Sequence, residues 1–150
     1  MEPLKLRRLA RTDAGSELIE MALVTPILLL LVFGIVDFGF MFQRYVVLTN
    51  AAVEGARVAT MPGYNAGDAQ ARVISYAAGG GIQGAVNPVV TPVTLPGIDG
   101  GTWPGMQVTV THVYTFQYIA PIATLVGGST AANVTLTASS TMRNQLAGGS

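Results

Sequence analysis

Residues 21–42 are apolar apart from a single carboxylate, Asp37, and residues 21–36 carry no charge at all. At about 1.5 Å per residue, such a run spans roughly 33 Å as a helix, against a bilayer core of about 30 Å. In hydrocarbon a lone segment must satisfy its own backbone hydrogen bonds, which a helix does. The stretch 17–44 therefore reads as a membrane-spanning helix. A core helix of a soluble domain would alternate polar and apolar faces, and no such periodicity is present.

Four of the eight basic residues, Lys5, Arg7, Arg8 and Arg11, precede this run, and on the far side only Arg44 lies close. Basic flanks stay on the cytoplasmic side, so the N-terminus is expected inside and the C-terminus outside. A removable secretory signal is the competing reading. Its apolar core is usually 7–15 residues long and ends at a small-x-small cleavage site. This run is longer, and the first such sites fall at residues 50–52, within a helical pattern. The expected organisation is a basic leader over 1–15, a transmembrane helix over 16–43 and an extracytoplasmic α+β domain over 44–150.

The carboxylates around the span need separate reasons. Ser16 suits a helix N-cap, and Glu17 and Glu20 would then lie in the first turn, where negative charge complements the helix dipole. Glu20 also abuts the apolar core. Asp37 lies deeper. An ionisable group within a span is costly and points to function, whereas at the outer edge it simply marks the boundary. Both readings of Asp37 stand at this point. Pro26 is expected to kink or loosen the helix. Gly34 and Gly39 offer room for a neighbouring helix, but their spacing does not make the four-residue glycine motif.

The helical pattern continues to the breaker pair Pro62-Gly63. Val47, Ala51, Gly55 and Val58 form a narrow stripe of small apolar residues, and Asn50, Glu54 and Arg57 a polar one in which Glu54 and Arg57 can pair. Asp68 is a plausible cap for a short helix reaching Ala78, with Val73, Ile74 and Ala77 inward. Beyond the glycines at 79–81 the period changes to two. Residues 86–95, interrupted by Pro88 and Pro92 and followed by Pro96, suit an edge strand or irregular extended chain. Residues 96–105 read as a loop holding Asp99 and Trp103. Residues 107–118 form a strand with Val108, Val110, His112, Tyr114 and Phe116 on one face. A loop runs from Ala120-Pro121 through Gly127-Gly128. Residues 133–143 form another strand, with Val134, Leu136, Ala138 and Met142 inward. The expected fold class is α+β: a long N-terminal helix, one short helix and an antiparallel sheet of about three strands, one face covered by the helix and a Thr-rich face toward water.

Little in the chain points to catalysis. Formal net charge is zero, which gives no general basic field for nucleic acid. Cysteine is absent, so neither disulfides nor thiolate metal sites form. His112, the single histidine, falls on an apolar strand face and reads as structural. No nucleophile elbow, zinc-protease motif or P-loop is present. Asp99 alone cannot supply a calcium loop. The Asn133-Val134-Thr135 triplet matches the N-glycosylation pattern. No cofactor, metal site or enzymatic activity is expected.

Two stretches carry a resemblance. GSELIEMALVTPILLLLVFGIVDFG (15–39) resembles the entry segment of TadE-like proteins, minor pseudopilins of the tight-adherence (Flp) pilus system. NAAVEGARVAT (50–60) is similar to that family's Asn-Ala-Ala-x-Glu-Gly-Ala-Arg signature, here Asn50, Glu54, Gly55 and Arg57. The resemblance implies a bacterial inner-membrane protein whose outer domain lies in the periplasm or, after assembly, on the pilus. It implies cleavage by a prepilin peptidase between Gly15 and Ser16, which makes Glu20 the fifth residue of the mature chain. A carboxylate there can be neutralised by the free amine of a neighbouring subunit, so Glu20, and with it Asp37, becomes an assembly residue. The implied partners are the bilayer, the peptidase, other pilin and pseudopilin subunits, and the inner-membrane platform proteins of the tight-adherence system. Two features depart from the pattern: the leader is short, and Met21 stands where family members often carry an aromatic. An uncleaved single-pass anchor presenting a binding or scaffold domain is the alternative.

Overall fold

The computed structural model describes residues 13–97, 100–122 and 132–144. The leader through residue 12, Asp99, and most of the loop through Gly127-Gly128 lie outside them, as does the tail from 145.

Helix α1 runs unbroken from Asp13 to Ala59, 47 residues, through Pro26. Pro26 lacks the N–H that would reach the Ala22 carbonyl, yet the flanking turns of Leu, Ile and Val continue the helix. Ser16 is thus inside the helix and not its cap, because the helical residues begin three positions earlier. Its N-terminal segment is bare: Leu23, Ile27, Leu31 and Ile35 are all exposed. This is a helix long and apolar enough to cross a membrane. At the other end, Thr60 N–H donates to the Ala56 and Arg57 carbonyls and Met61 N–H to Val58. The regular helix therefore stops just before the breaker pair, and the chain reverses at Gly63, where φ is +83°.

Helix α2, Ala66–Gly79, is capped by Asn65, not Asp68. The Asn65 side chain accepts from the Gly67 and Asp68 amides, and Asp68 reaches back to the Asn65 N–H at 2.9 Å. Asp68 is the third residue of a capping box, so its acidity serves the cap from inside the first turn. Ala69, Val73 and Ala77 are buried, while Ile74 is half exposed and faces away from the core.

Three antiparallel strands follow in the order β1 (Val86–Pro96), β2 (Thr102–Thr115) and β3 (Asn133–Arg143). Among the described residues the proline-rich strand β1 is an edge, pairing with β2 alone. Strand β2 starts earlier than its composition suggests. Thr102, Trp103 and Pro104 pair with Pro96, Leu95 and Thr94, so the loop between β1 and β2 shrinks to 97–101. Its Gly97 N–H bonds the Gly101 carbonyl at 2.7 Å.

Alternation sets the faces. Val108, Val110, His112, Tyr114 and Phe116 are buried, as are Leu136 and Ala138 on β3. Val134 lies at the margin and is more exposed than its face suggests. The opposite face carries Thr109, Thr137, Ser139 and Thr141 and is largely solvated, apart from its own Thr109–Ser139 contact. The core lies between the buried sheet face and the C-terminal part of α1, with Leu48, Ala51, Ala52 and Ala56 fully enclosed, and α2 closes one side.

Candidate functional site

The family signature sits where three elements meet. Gly55 faces α2 and β2; a Cβ there would press on Val73 Cγ2 and stand 3.2 Å from Val108 Cγ1. Ala51, Ala52 and Ala56 flank it, all fully buried. Small side chains let two layers approach one helix closely. Large ones here would hold α2 off the sheet. Gly80 plays the same part at the far end of α2, where it lies against Val47.

The polar members of the signature point outward. Asn50 and Arg57 are exposed. Glu54 pairs with Arg72 of α2 at 3.6 Å rather than with Arg57. That pair is partly solvated and contributes under about 1 kcal/mol, so its use is to fix how α2 lies. Arg44 donates to the Gly81 carbonyl at 2.8 Å and ties the glycine turn after α2 to the helix.

Asp37 is the most heavily bonded side chain of the span. It is fully buried. Its Oδ1 accepts from Gln117 N–H at 3.1 Å, and its Oδ2 from Tyr118 N–H at 2.8 Å and Ile119 N–H at 2.9 Å. The Tyr114 hydroxyl donates to the Asp37 carbonyl at 3.3 Å. Three amides converging on one carboxylate compensate its desolvation and serve backbone N–H groups that leave the β2 ladder. Aromatic contacts reinforce the junction. Phe38 meets Phe116 edge-on at 5.4 Å, and Phe33 stacks with Tyr118 at 5.9 Å. Burial first, then the nearby Asp37 charge, raise the Tyr114 hydroxyl pKa above its usual value, with Arg44 partly opposing.

Gly15, Ser16 and Glu20 lie on the exposed first turns of α1. Among the described residues Glu20 has neither an ion-pair nor a hydrogen-bond partner for its side chain, and no atom approaches within 4 Å of a Cβ placed on Gly15. The structure therefore separates the sequence-marked residues into three places: a bare N-terminal end, the Asp37 junction, and the packing site at Gly55.

His112 is buried on β2, with its Nδ1 3.0 Å from the Ala85 carbonyl. A carbonyl only accepts, so Nδ1 carries the proton, and the ring pins the start of β1 to β2. Trp103 lies beneath the Arg143 guanidinium, 4.4 Å from its centre, and joins β2 to β3 near the sheet end. Among the described residues no group of three or more His, Asp or Glu side chains is placed to hold a metal.

Sequence reasoning missed the three amides that bind Asp37. They are backbone groups some 80 residues away and leave no mark in residue identity. Only the depth of the carboxylate within the apolar run hinted that a partner was needed.

Nothing among curated proteins or solved structures matches the chain. The family model described as TadE-like protein matches residues 15–57, from the bare first turns through the Gly55 packing site; over that stretch, which includes the helix long and apolar enough to cross a membrane, the chain is similar to TadE-like proteins.

Proposed function

We propose that this protein is a minor pseudopilin that takes part in assembling a tight-adherence (Flp) pilus, by subunit contact and without catalysis. It inserts in the bacterial inner membrane with residues 1–15 as a cytoplasmic leader, spans it over 16–43 and holds 44–150 on the far side. A prepilin peptidase cuts between Gly15 and Ser16. The mature helix is then extracted into a growing fibre beside other pilin and pseudopilin subunits, on the inner-membrane platform of the system.

The observation that carries this reading is Glu20: an exposed carboxylate without a partner among the described residues, at the foot of a bare apolar helix. A charge left unpaired against hydrocarbon is costly, and a neighbour's new N-terminal amine relieves it only in one register. The carboxylate thus selects the aligned subunit over a slipped one. Asp37 contributes differently. Its bonds hold the outer domain to the helix, so that force on one is transmitted to the other.

Substituting Glu20 by Ala tests the proposal. Membrane insertion of the E20A chain is expected to match the parent, because the apolar run is intact, while its incorporation into sheared pili falls to background. Full incorporation of E20A would sink the proposal and favour an uncleaved anchor that presents the domain to other pilus or secretion components.

A further inference from the structure

We infer that residues 116–122 are a second membrane-contacting element: after leaving β2, the chain folds down along α1 and seats Tyr118, Ile119 and Ile122 in the leaflet on the domain's side. The inference rests on α1 crossing the bilayer and is independent of cleavage or pilus assembly.

Depth is the first argument. With Glu20 at one edge of the hydrocarbon, a core of about 30 Å is spent near residue 40. Asp37 then lies roughly 5 Å inside the opposite edge and Phe33 roughly 10 Å inside, and a helix tilt of about 20° only deepens both. The chain that touches these residues shares their depth. Tyr118 stacks on Phe33 at 5.9 Å, and Gln117, Tyr118 and Ile119 bond Asp37. Moving the edge down to Asp37 itself still leaves Phe33 and its tyrosine in hydrocarbon, and would draw Glu20 in as well.

Surface chemistry is the second. Tyr118 is 46% and Ile122 45% exposed, so both turn apolar surface outward. Ile119 and Ile122 instead continue the apolar surface of α1, forming with Leu30, Gly34 and Phe38 one wall of a groove of about 850 Å³. Tyrosine with an apolar ring and a polar tip suits the interface.

Backbone satisfaction is the third. Irregular chain is tolerated at membrane depth only if its polar groups have partners. Here Asp37 takes the amides of 117–119, the Ile122 N–H bonds the Ile119 carbonyl at 3.1 Å, and the Phe116 N–H bonds Ala132 at 2.9 Å. The buried carboxylate within the span is then explained: it replaces the water that these amides would lack in lipid.

The occupant of this surface is lipid, because it is continuous with the apolar face of the span and lies at the same depth. The chain has no cysteine, so single-cysteine nitroxide variants of the full protein are direct probes. Ile122→Cys reports the segment, Leu31→Cys the span, and Thr109→Cys the solvated sheet face. Each is reconstituted dilutely in phosphatidylcholine vesicles and its collisions with oxygen and with a water-soluble nickel chelate are compared. Oxygen is expected to dominate at positions 122 and 31, and nickel at 109. Nickel dominance at 122 with oxygen dominance at 31 would overturn the inference while leaving the span intact. Exclusion of both reagents at 122 would show a protein-covered surface, such as a second copy, and overturn it too. Nickel dominance at 31 would remove the span and the inference together.

Discussion

At Gly55 two effects compete. Replacing glycine by alanine inside a helix gains about 0.8–1.0 kcal/mol of propensity. The new Cβ, however, would press on Val73 Cγ2 in a fully buried site, and overpacking costs about 1–3 kcal/mol. The second term wins because Val73 is enclosed and cannot swing away. Gly55→Ala is expected to lower domain stability by about 1 kcal/mol in denaturant titration of the detergent-solubilised chain. Gly79→Ala, with nothing within 4 Å of the added carbon, is the control and should be neutral or slightly stabilising. Equal losses at both positions would contradict the packing role of Gly55. Tyr114 makes a pH prediction. Its folded pKa is raised above the ordinary value of 10.0, so the folded state holds the proton more tightly than the unfolded one. That contribution is complete below about pH 10 and is lost as pH rises through the folded pKa. Tyr114→Phe removes this alkaline dependence and loses one hydrogen bond, worth about 0.5–1.5 kcal/mol near neutral pH. The difference between the two chains should therefore shrink in denaturation midpoints taken at increasing alkaline pH.

Among the elements, α1 serves two environments with one continuous backbone, and Asp37 is where the chain after β2 is bonded to it. Removing its carboxylate leaves three amides without their acceptor. Asp37→Ala is expected to accelerate hydrogen exchange at Gln117, Tyr118 and Ile119 by on the order of 100-fold, with the β1–β2 ladder little changed. Unchanged exchange at those amides would show that other groups satisfy them. How far the elements were legible follows from the kind of signal each one left. The long apolar helix is written in an uncharged run and the inward face of β2 in a period of two, and both emerge as expected; of the small-residue stripe, Ala51 and Gly55 are buried and Val47 packs on the core, with Leu48, Ala52 and Ala56 added and Val58 left at the margin. The cap of α2 was misplaced because Asn65 and Asp68 are both good capping types and differ only in which side of the first turn they occupy. The start of β2 was hidden by Trp103-Pro104-Gly105, whose composition signals a loop although pairing with β1 extends them. Glu54 has basic residues available on its own helix and on α2, and tertiary packing chose Arg72.

At the scale of the whole molecule, the sheet domain and the span are joined by more than a helix running through both. The Asp37 bonds, the Phe33–Tyr118 stack and the Phe38–Phe116 contact couple the domain to the helix some distance below its packing core. A subunit drawn into a fibre by its helix would carry its domain as one body. That suits the pseudopilin reading, in which the N-terminal end engages neighbours and the domain is displayed. Of the proposed assembly end, Glu20 is legible in residue order as charge against an apolar run, whereas Gly15 and Ser16 rest on the resemblance alone. It could not mark the coupling, which depends on backbone groups from a distant loop. The most direct test is the N-terminal residue of the mature protein extracted from membranes of a host with an active prepilin peptidase. Processing between Gly15 and Ser16 predicts Ser16. A mature chain that still begins upstream of Gly15 would contradict pilin-like maturation and leave a fixed single-pass anchor.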